Sequence, residues 1–250
     1  MAQRLKFYIG LIGLINTGVN TPLLAEHSVQ IGLVTSANSS FYKNMGEEYY
    51  VLPLVIAEYN RFYLQGTHGG YRLFQGDEGQ SLALEIRHTF DGYRSNNSDA
   101  LVGMADRDAA WEAGLAYEVN MAGGQFKTKL MQDISDTHNG FSARFEYERP
   151  YWMNDSLMVS WYTGSEYWSN KKTEYYFGVT PAEATLTRSV YAPDENYSFY
   201  LGSSASKRVN DNITLIVNAE YLWMSDAASD SPLTARQDQW SAYAGVFYQF

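Results

Sequence analysis

Apolar and polar residues alternate along this chain with a period of two, and the pattern recurs from one end to the other. In 111–121, Trp111, Ala113, Leu115, Tyr117, Val119 and Met121 fall on one side of an extended segment. Glu112, Gly114, Ala116, Glu118 and Asn120 fall on the other. In 141–149, Phe141, Ala143, Phe145 and Tyr147 oppose Ser142, Arg144, Glu146 and Glu148. The stretches 82–89 and 213–223 behave alike, with Leu82, Leu84 and Ile86, and Ile213, Leu215, Val217, Tyr221 and Trp223, on their apolar sides. Such alternation specifies strands with one apolar and one polar face; a helix would scatter these residues around its circumference. Many of the runs are roughly 9 to 13 residues long, against about 5 to 6 for an ordinary globular strand and about 9 to 11 for a tilted strand that crosses a bilayer.

Strands are expected near 28–36, 49–58, 61–66, 70–75, 81–90, 111–120, 125–133, 140–149, 156–168, 197–208, 212–225 and 239–250. The segments between them alternate between short and long, except that 67–69 is short against the trend and 134–139 is intermediate. Short turns on one side and long loops on the other are the pattern of a bacterial outer-membrane barrel. The fold class is therefore all-β: a transmembrane antiparallel up-and-down β-barrel of about 12 strands, in one domain without repeat or linker. Ten strands is the alternative, because the third and fourth are short. Pro53 falls inside the second strand, where it removes a ladder donor and points to a bulge. The charges on the polar faces, Glu112, Glu118, Lys127, Lys129, Arg144, Glu146 and Glu148, would line the lumen of such a barrel and pair across strands.

Composition agrees. The 21 Tyr and 6 Trp outnumber the 12 Phe, and rings with a polar handle suit membrane interfaces. Mean hydropathy is −0.35, which excludes a helical membrane protein but not a barrel with a polar lumen. A net charge of −10 disfavours nucleic acid as a partner. There is no cysteine. At the N-terminus, Arg4 and Lys6 precede the apolar run 7–15, and Pro22-Leu23-Leu24-Ala25 precedes Glu26. This order reads as a secretory signal over 1–25, cleaved after Ala25, ahead of a barrel over 26–250.

The final strand sets Trp240, Ala242, Ala244, Val246, Tyr248 and Phe250 on one face. A terminal strand that ends in Phe resembles the insertion signal of outer-membrane proteins. The chain also resembles the MltA-interacting protein (MipA)/OmpV family. The resembling segments are 50–54 (YVLPL), 98–104 (SDALVGM), 176–184 (YFGVTPAEA), 225–233 (SDAASDSPL) and 245–250 (GVFYQF). YFGVTPAEA is the most specific of them. Ser229 is an extra residue relative to the family pattern, within an expected loop. The resemblance implies a non-enzymatic barrel in the outer membrane of a Gram-negative bacterium, in contact with its lipid and lipopolysaccharide. For the family's best-described member it implies a scaffold that joins a murein-degrading lytic transglycosylase to a murein-synthesising penicillin-binding protein.

No residue is assigned a catalytic, cofactor-binding or metal-binding role. His27, His68, His88 and His138 lack the spacing of a metal site. His138-Asn139-Gly140 is read as a hairpin turn rather than part of a hydrolase site. Asp99, Asp106, Asp108, Asp226 and Asp230 are read as solvated loop carboxylates rather than cation ligands. Tyr49-Tyr50 and Tyr175-Tyr176-Phe177 are read as girdle or loop-packing rings. Residues 180–187 suggest a short helix over the mouth, capped by Thr180 with Pro181 at its first position. Two functions compete with the scaffold: a narrow solute pore, and an adhesin acting through loops 91–110, 169–196 and 226–238. For the scaffold, the periplasmic surface on offer is Gly76–Gln80, Pro150–Asp155 and the mature N-terminus, with substitutions at Tyr151 and Trp152 expected to weaken any complex.

Overall fold

The computed structural model describes residues 27–77 and 79–250. The expected signal and its cleavage site at Ala25 lie outside them. Twelve antiparallel strands form one closed barrel. They are β1 (His27–Asn38), β2 (Glu48–Tyr59), β3 (Phe62–Gln65), β4 (His68–Gln75), β5 (Ser81–His88) and β6 (Trp111–Met121). They continue with β7 (Gly124–Asp133), β8 (Phe141–Asn154), β9 (Leu157–Trp168), β10 (Asn196–Arg208), β11 (Ile213–Met224) and β12 (Asp238–Gln249). Each strand pairs with the next, and β1 closes on β12 from Gln30–Gln249 to Asn38–Ser241. The strand count resolves to 12, short third and fourth strands included.

The alternation in the sequence becomes two surfaces. Leu33, Leu84, Leu115, Leu130, Phe145, Leu201 and Val217 are exposed on the outer wall. Aromatic belts flank them. At the loop end, Phe141, Tyr167 and Tyr197 stand in a row with ring centroids 5.5 and 5.1 Å apart. At the turn end, Phe62 meets Tyr71 at 4.8 Å and Phe126 meets Tyr147 at 4.7 Å. An apolar band between two aromatic girdles is the lipid-facing surface of an outer-membrane barrel.

Both prolines within strands sit where an edge is free. The β1–β2 register runs unbroken from His27–Tyr59 to Asn38–Glu48, so the bulge expected at Pro53 is absent. β3 pairs with β2 only over Ile56–Tyr59, and the last rung is the Gly66 amide donating to the Val55 carbonyl at 2.8 Å. Ladder bonds alternate sides along a strand, so Pro53, two residues on, turns its nitrogen toward the same open side. No donor is needed there. β8 likewise continues to Asn154 instead of ending at Arg149. Its pairing with β7 reaches only Glu148, so Pro150 has one edge free. The turn after it is tight, because the Asn154 Oδ1 accepts the Ser156 and Leu157 amides, each at 3.0 Å. A bulge at Met153 absorbs the register shift.

Aromatic rings lie over glycines on neighbouring strands inside the wall. Tyr162 covers Gly202, and Tyr200 covers Gly164, in the paired strands β9 and β10. A Cβ on Gly202 would land within the Tyr162 ring. Overpacking of this kind costs about 1–3 kcal/mol. Gly202→Val is therefore expected to lower the urea midpoint of the folded barrel, read from the heat-shifted band on a gel. An unchanged midpoint would show that the ring is free to move aside.

Candidate functional site

The lumen has two unlike walls. On β1, β2, β11 and β12, Val34, Leu54, Ile56, Ile216, Tyr243 and Phe247 face the lumen as one buried apolar cluster, beside a few polar residues such as Asn218 and Glu220. The strands opposite carry charge, and they carry it in pairs, as the alternation predicted. Lys129 meets Glu85 at 2.8 Å. Lys127 meets Glu148 at 2.5 Å and Glu146 at 3.4 Å. Arg144 reaches Glu220 at 3.3 Å, Glu166 at 3.4 Å and Glu146 at 3.5 Å. Its guanidinium also lies 3.7 Å from the centre of the Tyr200 ring. Buried charges are expensive to desolvate and persist only when paired and hydrogen-bonded. Each of these cations is held by at least one carboxylate.

A plug built from the long loops closes the outer mouth. Helix α1 (Asn170–Phe177) follows β9, and its Lys172 projects into the lumen. The Lys172 Nζ lies 2.9 Å from the Glu112 Oε1, 3.5 Å from the Asp91 Oδ2 and 4.3 Å from the centre of the Trp168 ring. Glu112 is fully buried. It also accepts from the Arg87 Nε at 2.7 Å. His138 completes its shell. The His138 Nδ1 accepts the Gly140 amide at 3.0 Å, so the Nε2 carries the proton and donates to Glu112 at 3.2 Å. Both ring nitrogens are thereby engaged. Asn139 takes the left-handed conformation of a turn residue, with φ of 55°.

Above this layer the loops pack on one another. Phe41, Tyr42, Tyr93, Leu101, Met104, Tyr176, Phe177, Val179 and Leu233 form a buried cluster with Trp168. Tyr176 and Phe177 are thus loop-packing rings, as read from the sequence. The Tyr42 hydroxyl donates to the Tyr176 carbonyl, and the Ser231 hydroxyl to the Phe177 carbonyl. The helix expected over 180–187 does not form; the loop's helix lies at 170–177 instead. Glu183 does bond back to the Thr180 amide and hydroxyl, at 3.0 and 2.8 Å. The chain makes a single turn there and no helix, and Arg188 takes the Glu183 carbonyl that a further turn would need. Arg188 also holds the carbonyls of Ala100 and Val102, tying this loop to the one after β5. Arg107 and Glu183, 2.9 Å apart, make a second tie.

Of the loop carboxylates, Asp106 and Asp108 pair with Arg94 at 3.3 and 2.7 Å. No group of three metal-binding side chains occurs among the described residues. Sequence reading missed Lys172, Arg107, Glu183 and Arg188. The one signal they left is a cluster of charges in segments rich in aromatic residues, which a solvated loop does not need.

A closed antiparallel barrel with an apolar outer band, aromatic girdles, short turns at one end and a loop plug at the other is an outer-membrane β-barrel. The model of the family described as MltA-interacting protein MipA matches residues 31–250, and the chain belongs to that family. It is 28% identical over 236 residues to the 24 kDa outer membrane protein of Pasteurella multocida (strain Pm70), covering 88% of this chain and 90% of that one. It is 26% identical over 229 residues to the MltA-interacting protein of Escherichia coli (strain K12), covering 90% and 92%. It is 27% identical over 182 residues to the outer membrane protein OmpV of Vibrio cholerae, covering 72% and 70%. Among solved structures it is similar to the NanC porin, with a TM-score of 0.43 and 10% identity over 89% of this chain and 98% of that one.

Two outcomes follow. Removing one partner from a buried ion network costs about 3–5 kcal/mol. Lys172→Met is therefore expected to leave a folded barrel whose 169–195 loop is cut faster by added protease; unchanged cleavage would mean that the loop core alone holds the plug. Burial raises the carboxyl of Glu183, but amide bonds from Ala105 and Thr180, the Thr180 hydroxyl and Arg107 outweigh it and bring the pKa from 4.5 to about 2. A depressed carboxylate stabilises the fold above its unfolded pKa and ceases to as pH falls through the folded one. Hydrogen exchange of the Ala105 and Thr180 amides should show protection at pH 5 that fades toward pH 2. Constant protection over that window would remove Glu183 from the lid's stability.

Proposed function

We propose that this protein is a non-enzymatic scaffold that holds murein-remodelling enzymes at the periplasmic face of the outer membrane. The partner class is a lytic transglycosylase, joined there to a penicillin-binding protein. The family relationship supports the reading, since the Escherichia coli relative that matches over nearly its whole length is named for interacting with MltA. The observation that carries it is the β8–β9 hairpin. β8 outruns β7 beyond Glu148, and Tyr151, Trp152 and Met153 are exposed at its end by 45%, 59% and 64%. Arg149 lies over the Tyr151 ring at 5.5 Å. Tyr, Trp and Arg dominate interface hot spots. The other turns at this end are short, so a partner footprint of about 800 Å² centres on this hairpin.

A signal over 1–25 that is removed after Ala25 completes the reading, by delivering the barrel to the side of the wall where such enzymes work. Contact with lipopolysaccharide belongs to the outer half of the wall. A narrow pore is the second reading. The paired charges and the loop plug weigh against it, and planar-bilayer recordings of the folded barrel are expected to be silent.

In cells, a photo-crosslinker at Tyr151 is expected to capture a lytic transglycosylase or a penicillin-binding protein, and one at Gly79, across the same rim, to capture less. Trp152→Ala is expected to lower partner recovery by about tenfold, the scale of a 1.4 kcal/mol loss. Adducts with lipoproteins or lipopolysaccharide alone, from a well-inserted barrel, would overturn the scaffold.

A further inference from the structure

The wall of this barrel has a window. β3 covers only the last four residues of β2. Among the described residues no strand pairs with Glu48–Leu54 on that side. The Gly66–Thr67 turn forms the sill, because the Thr67 carbonyl accepts the His88 amide and the Gly66 amide binds Val55. The upper end of β2 therefore faces the segment that follows β5. That segment crosses the top, where the Tyr93 ring meets Tyr42 at 4.8 Å. The opening is written into the sequence: Pro53 stands on the bare edge, where a partner strand would find no donor.

What lies behind the window has a definite chemistry. Its lumen side is the apolar wall, with Leu54, Ile56 and Val34 buried and Leu52 packed against them. At its upper end is a cavity of about 30 Å³. It is lined from both sides of the window, by Glu48 of β2 and by Asp91 and Gly92 beyond β5, and by the rings of Tyr42, Trp168 and Phe177. Glu48 is hydrogen-bonded to Tyr50, and among the described residues no lysine or arginine pairs with it. The Trp168 indole N–H is buried without a hydrogen-bond partner. The neighbouring side of Trp168 and Asp91 already holds one ammonium, that of Lys172, at 4.3 Å from the ring and 3.5 Å from the carboxylate. A carboxylate set among aromatic faces is a cation-recognition site, and 30 Å³ is the room of one small polar group.

We infer that this window admits a single-chain amphiphile from the outer leaflet, its primary ammonium head seated between Glu48, Asp91 and the Trp168 and Tyr42 rings, and its alkyl chain on the Leu52–Leu54–Ile56 wall. The occupant is cationic because the cavity offers two carboxylates and only one resident ammonium. It is an amphiphile because the lumen face of β2, from Leu52 to Ile56 on the same strand as Glu48, is apolar. The indole N–H is left to a water or to an oxygen carried next to the ammonium.

The test uses the folded barrel in nonionic detergent, with binding counted by native mass spectrometry. Dodecylammonium is expected to give one saturable adduct, with dodecyl sulfate at equal concentration giving none. Butylammonium is expected to bind at least tenfold more weakly, because it lacks the chain. Glu48→Gln is expected to weaken dodecylammonium at least tenfold while leaving the heat-shifted folded band intact, since that carboxylate pairs with no cation among the described residues. Leu54→Trp, which fills the apolar wall, is expected to do the same without touching a charge. Equal retention of the sulfate, or undiminished binding by both variants, would overturn the head-group site. Equal binding of butylammonium and dodecylammonium would overturn the window as the route. If Leu54→Trp fails to fold, Glu48→Gln with the three ligands decides.

Discussion

A strand that crosses hydrocarbon must give every backbone amide a partner in the next strand, and the rest of this structure follows from how far that demand is met. Closing β1 on β12 joins the two ends of the sheet and fixes the register of the whole wall. A fixed register assigns each side chain to lipid or lumen, because a slip of one residue would exchange the two faces. The lumen then inherits every charge that the lipid refuses. Lys127, Lys129 and Arg144 each meet a carboxylate from another strand, so this part of the interior is filled by ion pairs.

The same demand explains the exceptions. Where the wall is incomplete, the chain places residues that do not need it. Pro53 stands on the bare edge of β2, and Pro150 where β8 outruns β7. A sequence argument that treats proline only as a ladder breaker reads these positions as a bulge and as the end of a strand. Both readings fail for one reason: the cost of a missing donor depends on whether a neighbour is there to miss it. The neighbour is a fact of topology, and periodicity does not contain it.

The wall itself was legible. Alternation in 82–89, 111–121, 141–149 and 213–223 placed the lipid and lumen faces correctly, and the contrast of short turns with long loops gave the order and number of strands. The lumen pairs of Lys127, Lys129 and Arg144 were visible as charges on one face. The plug was not. Lys172 finds Glu112 across 60 residues, and Arg107 finds Glu183 across 76. Loops have no period, so nothing local marks which of their charges turn inward. The expected helix at 180–187 shows the limit: its capping pair Thr180–Glu183 forms as the sequence says, yet the chain makes a single turn there and Arg188 takes the Glu183 carbonyl. The histidine of the His138-Asn139-Gly140 turn is a further case, since a residue chosen for a hairpin also supplies a donor to a carboxylate on β6.

The barrel is also uneven as a mechanical object. β1 and β2 are laced together along 12 residue pairs, whereas β2 and β3, and β3 and β4, share four each. A hoop with one thin section concentrates strain there. Lateral pressure from a thickening or tightening bilayer would be taken up around β3, leaving the ion-filled wall opposite nearly rigid. The cross-section would therefore flex about one seam instead of breathing evenly, and the loops anchored to the stiff arc from β6 to β11 would keep their places while it did.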